Sequence, residues 1–169
     1  VLSDMDDADL VAVVDTNAAA ADAVARQRDC RALNDAAEAV ELADAAIIAV
    51  PTRQHVAAAR PFVEAGKPVL IEKPLTDDPS DGEALLELAD QTGASVQVGH
   101  TERFNPAVVA LRKYDIRPKF IEAHRISPFT FRSADVGVVL DMMIHDIDIV
   151  AMLARARLES VRAIGVNVI

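Results

Sequence analysis

Cysteine, tryptophan and lysine are almost missing from this chain. Its 169 residues include one cysteine, no tryptophan and four lysines, Lys67, Lys73, Lys113 and Lys119. A lone Cys30 excludes an intramolecular disulfide framework and fits a reducing compartment. No apolar run reaches the roughly 18–20 residues of a membrane span, and no secretory leader is recognisable. The expectation is a cytoplasmic protein with no membrane partner. Positive charge is also scarce: the formal net charge is −10. Such a surface repels phosphate backbones, so nucleic acid is not the expected partner. Many aspartates with few lysines and few aromatics also resemble the surfaces of proteins from salt-loving archaea, where salt screens self-repulsion. An ordinary acidic protein with Ala- and Arg-rich codon usage is the competing explanation. Stability that does not depend on salt would exclude the halophile-like one.

Apolar residues, by contrast, make up 51% of the chain, enough for a sizeable core. Short Val/Ile/Leu runs without polar alternation suit strands buried on both faces of a parallel sheet. They occur at Leu10–Val14, Ala45–Val50 and Pro68–Ile71; a weak strand near Cys30–Leu33 and a further one at Ser95–Val98 are also expected. Helical stretches alternate with them: Ala18–Arg28, Ala36–Leu42, Gln54–Ala65 and one opened by Asp78-Pro79-Ser80 that runs through Glu83 to Gln91, with Gly66 and Gly93 as stops. This alternation predicts an α/β fold with a doubly wound parallel sheet over residues 1–116. From 117 to 169 the rhythm changes. Strand-like runs at Lys119–Ile126 and Leu158–Ile169 flank a helix at Val139–Leu153, as expected for the start of an α+β domain. The chain begins with Val rather than Met and ends inside a strand-like run. We therefore expect it to be a fragment of a longer protein, truncated in both domains.

In open parallel sheets, ligands sit beyond the carboxyl ends of the strands. Several residues of chemical interest fall at such ends. Asp15 ends the first strand, where an acid can bind ribose hydroxyls or simply cap the following helix. Val50-Pro51-Thr52-Arg53-Gln54-His55 joins a strand to a helix, and its N–H groups could face a cofactor. His55 itself reads equally as a solvated residue of the first helical turn. Glu72-Lys73-Pro74 follows the most apolar strand. Pro74 fixes its own φ and allows a cis bond, which would aim the Lys73 ammonium; a solvated lysine in a surface turn is the plain alternative. Arg103 could clamp a hydroxyl or phosphate oxygen, while Asn105-Pro106 also reads as a helix cap and N1 pair. Asp141 and His145, four residues apart on the expected helix, share one face, with Asp148 near it. A His held by a carboxylate is a plausible general base, or the two merely satisfy each other. One His and scattered aspartates make a poor zinc set.

The order Asp15, Pro51-Thr52-Arg53-Gln54-His55, Glu72-Lys73-Pro74, Gly99-His100-Thr101-Glu102-Arg103-Phe104-Asn105-Pro106 and Asp141-x-x-x-His145-x-x-Asp148 resembles the Gfo/Idh/MocA oxidoreductase family. The resemblance spans nearly the whole chain. It implies a Rossmann-type domain followed by an α/β domain with a large, mostly antiparallel sheet. It also implies hydride transfer between NAD, less readily NADP, and a hydroxyl of a sugar, inositol or related polyol. By resemblance Lys73 is the catalytic lysine, followed by a cis bond at Pro74. His145 takes or gives the hydroxyl proton, and Asp141 orients substrate or tunes His145. Cofactor contacts fall to Asp15, Pro51, Thr52, His55, Glu72, Lys73, Pro74 and Arg103. Arg103, Asn105 and Arg132 join Lys73, Asp141 and His145 around substrate. Arg132-Ser133 and the segments flanking Asp141 look like members acting on nucleotide-linked amino sugars such as UDP-N-acetylglucosamine, where Arg132 could meet the diphosphate, though it also reads as a loop arginine. A homodimer or homotetramer is expected of the intact protein. The family's glycine-rich G-x-G-x-x-G turn is absent, since no glycine precedes Gly66, so the first βα unit is expected to be missing and the fragment alone inactive. A cofactor-binding regulator of the same fold is the competing reading, but it has no need of Lys73, Asp141 and His145 together.

Overall fold

A computed structural model describes residues 5–126 and 137–166. The chain divides into two compact units, 1–99 and 100–169. Residues 100–116, expected with the first domain, therefore group with the second unit.

The first unit alternates strand and helix: β1 (Ala12–Val14), α1 (Ala18–Arg28), β2 (Arg31–Leu33), α2 (Ala36–Ala39), β3 (Ala46–Ile48), α3 (His55–Glu64), β4 (Val69–Ile71), α4 (Pro79–Thr92) and β5 (Val96–Val98). Every strand pairing is parallel. β1 pairs β2, with Val13 opposite Ala32; β4 lies between β3 and β5, with Leu70 opposite Ile47 and Gln97. The strands thus form two sheets, β1-β2 and β3-β4-β5. This two-piece order is what the doubly wound order 3-2-1-4-5-6 leaves when its first strand is not among the five.

Local chemistry sets the helix ends. Asn17 Oδ1 accepts the N–H groups of Ala19 and Ala20 at 3.1 and 3.3 Å, and Asp35 Oδ1 accepts that of Ala37 at 2.9 Å. Asp78 Oδ1 accepts from Ser80 N–H and Oγ at 2.9 and 2.7 Å, with Pro79 in the first helical position. These are side-chain caps on otherwise orphaned donors. Gly93 closes α4 at φ 74°, a conformation glycine takes without steric penalty. Lys67 has a structural role: its Nζ donates to the carbonyls of Val40 and Ala43 at 2.5 and 2.8 Å, just past the end of α2.

The core lies between α3, α4 and the β3-β4-β5 sheet. Ala59, Val63, Ile71 and Leu85 are fully buried, with Ile48, Phe62, Val69 and Ala89 around them. Val14 and Leu33 pack against the same cluster, joining the β1-β2 pair to it. On α4 the buried residues Gly82, Leu85 and Ala89 share one face at helical spacing.

In the second unit, α5 (Pro106–Leu111) and α6 (Ile144–Ala154) are the α-helices among the described residues, and a wide π turn at Val139–Met143 leads into α6. The strands expected at Lys119–Ile126 and Leu158–Ile169 are not there: Lys119–Ile126 and 158–166 have no ladder bonds, and 167–169 lie outside the described residues. A strand exists only as one half of a pair, and no partner edge stands beside either run among the described residues. Phe120, Ile126, Leu158 and Ile164 are accordingly exposed. No helix of the described residues is long and apolar enough to cross a membrane.

Candidate active site

Lys73 stands two residues beyond β4, the middle strand of its sheet. The ladder extends one residue past the strands: Glu72 N–H donates to Ile48 O at 2.9 Å and Gly99 N–H to Ile71 O at 2.7 Å. The half-buried Lys73 therefore leaves the sheet from a backbone held on both sides, and the Lys73–Pro74 peptide is cis, as expected. Gly99 adds a constraint the sequence reading missed. A Cβ there would lie 3.3 Å from both Cδ and Oε2 of Glu72 and 3.4 Å from its Cα. Glycine lets the Glu72 side chain lie across the end of β5, beside the lysine turn.

At the end of β3, Pro51 precedes a 3₁₀ turn, Thr52–Gln54, closed by Gln54 N–H on Pro51 O at 2.8 Å. Thr52 is half-buried. Arg53 in this turn pairs with Asp77 at 3.3 Å, with both side chains largely solvated, so the pair adds little. His55 is 1% exposed, so it is not a solvated first-turn residue, and both ring nitrogens meet backbone carbonyls. Nδ1 lies 2.9 Å from Pro74 O and 3.3 Å from Leu75 O, and Nε2 lies 2.9 Å from Val50 O. The reason is physical: buried carbonyls need donors, and this ring sits between two chain segments that present them.

Asp15 follows β1 and is exposed. Its Oδ1 accepts Asn17 N–H at 2.8 Å, and its backbone carbonyl accepts Asn34 Nδ2 at 2.8 Å. The cap of α1 is Asn17, so Asp15 is not the helix cap of the alternative reading. Its Oδ2 takes no hydrogen bond from the described residues.

In the second unit a set of ionic contacts gathers on α6. Arg103 donates through Nε and Nη2 to Asp148 at 2.7 and 2.5 Å. Arg125 makes the same two-pronged contact with Asp146 at 2.6 and 2.7 Å. Such forks are stronger than single hydrogen bonds and fix orientation. Arg103, expected at substrate and cofactor, thus spends two of its donors inside its own unit. Asn105 acts as the alternative reading had it: its Oδ1 caps α5 on Ala107 N–H at 3.0 Å, while Nδ2 donates to Glu102 at 3.2 Å. Asp141 lies in the π turn and His145 is the second residue of α6; both are half-buried. A π turn inside a helix is a frequent mark of functional positions. Arg132 lies outside the described residues. The sequence reading missed Arg125, Asp146 and His100.

Hydrogen bonds from Arg103 hold the Asp148 carboxyl below the usual carboxylate range; burial opposes this, and the charges of His100, Arg103 and His145 add to it. Asp146 is held down likewise, first by its hydrogen bonds to Arg125. A carboxyl that binds its proton less readily when folded stabilises the fold above its unfolded pKa, about 3.9. That stabilisation is lost as pH falls through the lower folded value. Replacing Asp148 with Asn should therefore flatten the fall in melting temperature between about pH 4 and pH 2. A melting curve that drops in this window as steeply as the parent's would show that the pair does not couple to folding.

Comparison with known proteins places these features. Residues 1–100 match the model of the oxidoreductase family with an NAD-binding Rossmann fold, Gfo/Idh/MocA. The chain is 39% identical over 158 residues to a UDP-N-acetylglucosamine 3-dehydrogenase of Acidithiobacillus ferrooxidans, covering 93% of this chain and 50% of that protein. A solved structure of an enzyme of that name from the same organism superposes with a TM-score of 0.89 at 37% identity, over 96% of this chain and 54% of that one. An inositol 2-dehydrogenase of Rhizobium meliloti is 36% identical over 157 residues, 87% of this chain and 48% of the relative. The chain thus spans about half the length of these curated relatives. With the family match covering all five parallel strands, the chain belongs to the Gfo/Idh/MocA oxidoreductase family.

Proposed function

We propose that the complete reading frame carrying this chain encodes an NAD-dependent dehydrogenase that oxidises a hydroxyl of a nucleotide-linked amino sugar, of the UDP-N-acetylglucosamine type. The observation that carries the reading is Lys73. Among the described residues it is the lysine at the carboxyl end of a parallel strand, held by a backbone bonded to both neighbouring strands. The likeness to a UDP-N-acetylglucosamine 3-dehydrogenase over nearly the whole chain supports the substrate class.

The residues present fit a dinucleotide. Asp15 follows a parallel strand and keeps one carboxylate oxygen unengaged by described residues, suited to a pair of ribose hydroxyls. Its charge would repel a 2′-phosphate, which favours NAD over NADP. Pro51 and Thr52 stand at the end of β3, and Glu72 at the end of β4. When bound, a nicotinamide accepts the hydride that leaves the substrate carbon. The chain's own residues handle the proton. As the C–H bond breaks, the hydroxyl oxygen becomes acidic, and the Lys73 ammonium lowers the cost of the developing alkoxide. His145 is assigned the proton and Asp141 the orientation of substrate or of His145. Arg132 is assigned the diphosphate. Arg103, engaged with Asp148, would contribute at most its remaining N–H groups.

The test is NADH formation by the protein from the complete reading frame, in high salt, with UDP-N-acetylglucosamine, myo-inositol and free glucose as separate substrates. Turnover of the nucleotide sugar alone is the expected result. Turnover of myo-inositol alone would move the assignment to a polyol. NADH binding without turnover of any of the three would favour a cofactor-binding regulator.

A further inference from the structure

We propose that His55 is a positioning residue that sets the turn carrying Lys73, by tying the chain just beyond β4 to the end of β3; this rests on the reading of Lys73 as the group that stabilises the developing alkoxide.

Among the described residues, His55 is the buried polar side chain of the molecule, at 1% exposure. It opens α3, directly after the Thr52–Gln54 turn, so its backbone is fixed by a helix packed on the core. The ring reaches out in two directions. Nε2 meets Val50 O at 2.9 Å, the carbonyl immediately before Pro51. Nδ1 meets Pro74 O at 2.9 Å, the carbonyl one residue beyond Lys73, with Leu75 O behind it at 3.3 Å. All three partners are acceptors. A neutral ring carries one N–H and serves one side at a time; a ring protonated on both nitrogens serves both. In either state the imidazole supplies a donor to this group of buried and part-buried carbonyls, and losing it removes that donor.

The connection has a direction. β3 and β4 are paired neighbours, and their ladder ends at Glu72 N–H on Ile48 O. Beyond that bond stand Pro51 and Pro74, which lack the N–H needed to continue a ladder. The His55 ring takes over at this point. It meets the carbonyl of Pro74, while Glu72 is held by the sheet, so Lys73 lies between two anchored residues. Reacting groups need placement within a fraction of an ångström, and a shift of 1 Å can cost about 10²-fold in rate. A side chain that never touches substrate can therefore control the rate through Lys73.

The experiment uses the protein from the complete reading frame with His55→Phe and His55→Gln. Phenylalanine keeps a flat ring but has no donor, and glutamine restores one donor. Two readouts are taken. The first is kcat and KM for the turned-over sugar. The second is the acylation rate of Lys73 by an amine-reactive probe, mapped by mass spectrometry, with Lys113 and Lys119 as internal references. His55→Phe should lower kcat by about 10²-fold with KM within a few-fold, and change the relative Lys73 labelling rate several-fold. His55→Gln should recover part of both. Unchanged Lys73 labelling and unchanged kcat in a variant that only melts earlier would overturn the proposal and leave His55 as core filling. If Lys73→Met retains activity, the functional reading fails while the labelling result still decides whether His55 positions Lys73. If His55→Phe does not fold, nitrogen-edited NMR of the unsubstituted protein decides: an exchange-protected ring N–H on His55 is required, and its absence overturns the clamp.

Discussion

Replacing Lys73 with methionine in the complete protein should lower kcat for the sugar substrate by about 10²- to 10³-fold, the range for removing one group that stabilises a developing oxyanion. KM and NADH affinity should change by no more than a few-fold. Methionine matches the aliphatic stem of lysine and removes only the ammonium, so folding should be little affected. The asymmetry between kcat and KM is the informative part. A lysine that merely contributed charge to a binding surface would raise KM and leave kcat near its original value. A group that acts as the alkoxide develops contributes in the transition state alone. Steady-state kinetics with a separate NADH titration distinguishes the two cases. Activity within a few-fold of the parent would refute the mechanism, whatever the substrate proves to be. Arginine provides a second control. It keeps the positive charge on a larger, planar head group, so Lys73→Arg should recover part of the lost kcat if the charge is what stabilises the alkoxide. A recovery in that variant would indicate that charge alone suffices.

What could be read from the sequence divides along a physical line. The strands were legible because β1, β3 and β4 are short apolar runs bounded by turn residues, and that signal is local; β2, which includes Arg31, gave only a weak one. The same holds for Asn105-Pro106 as a cap; the cis bond at Lys73–Pro74 was implied by the family resemblance. The strands expected at Lys119–Ile126 and Leu158–Ile169 are absent from the described residues 119–126 and 158–166, because strand formation requires a partner and no local pattern supplies one. The interactions that shape the candidate site were the least legible. Arg103 and Asp148 are separated by 45 residues in sequence, Arg125 and Asp146 by 21. Nothing in either neighbourhood announces the other. His55 shows the limit most clearly. Its position at a helix start suggested solvent or a ligand, whereas its burial is decided by two carbonyls, one of them 19 residues away. A sequence of this type fixes where chemistry-bearing residues fall along the strands, but not which of them are already committed to each other.

The two adjacent leucines of α4 should respond very differently to the same substitution. Leu85 is 0% exposed and Leu86 is 47% exposed. Leu85 projects from the face that also carries Gly82 and Ala89, into the cluster of Val63, Phe62 and Ile71. Truncating it to alanine removes buried methyl groups and leaves a cavity, at a cost of about 2–5 kcal/mol. Against a total stability of about 5–15 kcal/mol, this is a large fraction, and the melting temperature should fall by roughly 10–20 °C. Leu86→Ala removes the same atoms from a half-solvated position and should cost about 1 kcal/mol or less, since alanine also has the higher helix propensity. The pair therefore separates burial from composition, because side-chain chemistry and helix are the same in both. The consequence reaches the candidate site. A Cβ on Gly82 would stand 3.4 Å from Thr76 Oγ1 and 3.6 Å from Leu75, so α4 rests directly on the segment that follows Lys73-Pro74. Loss of Leu85 should loosen that seat, and Leu85→Ala should lose activity at temperatures well below its own melting point. Equal melting temperatures for the two variants would mean that α4 does not pack on the core through the Gly82-Leu85-Ala89 face. The support inferred for the lysine turn from that side would then fall with it.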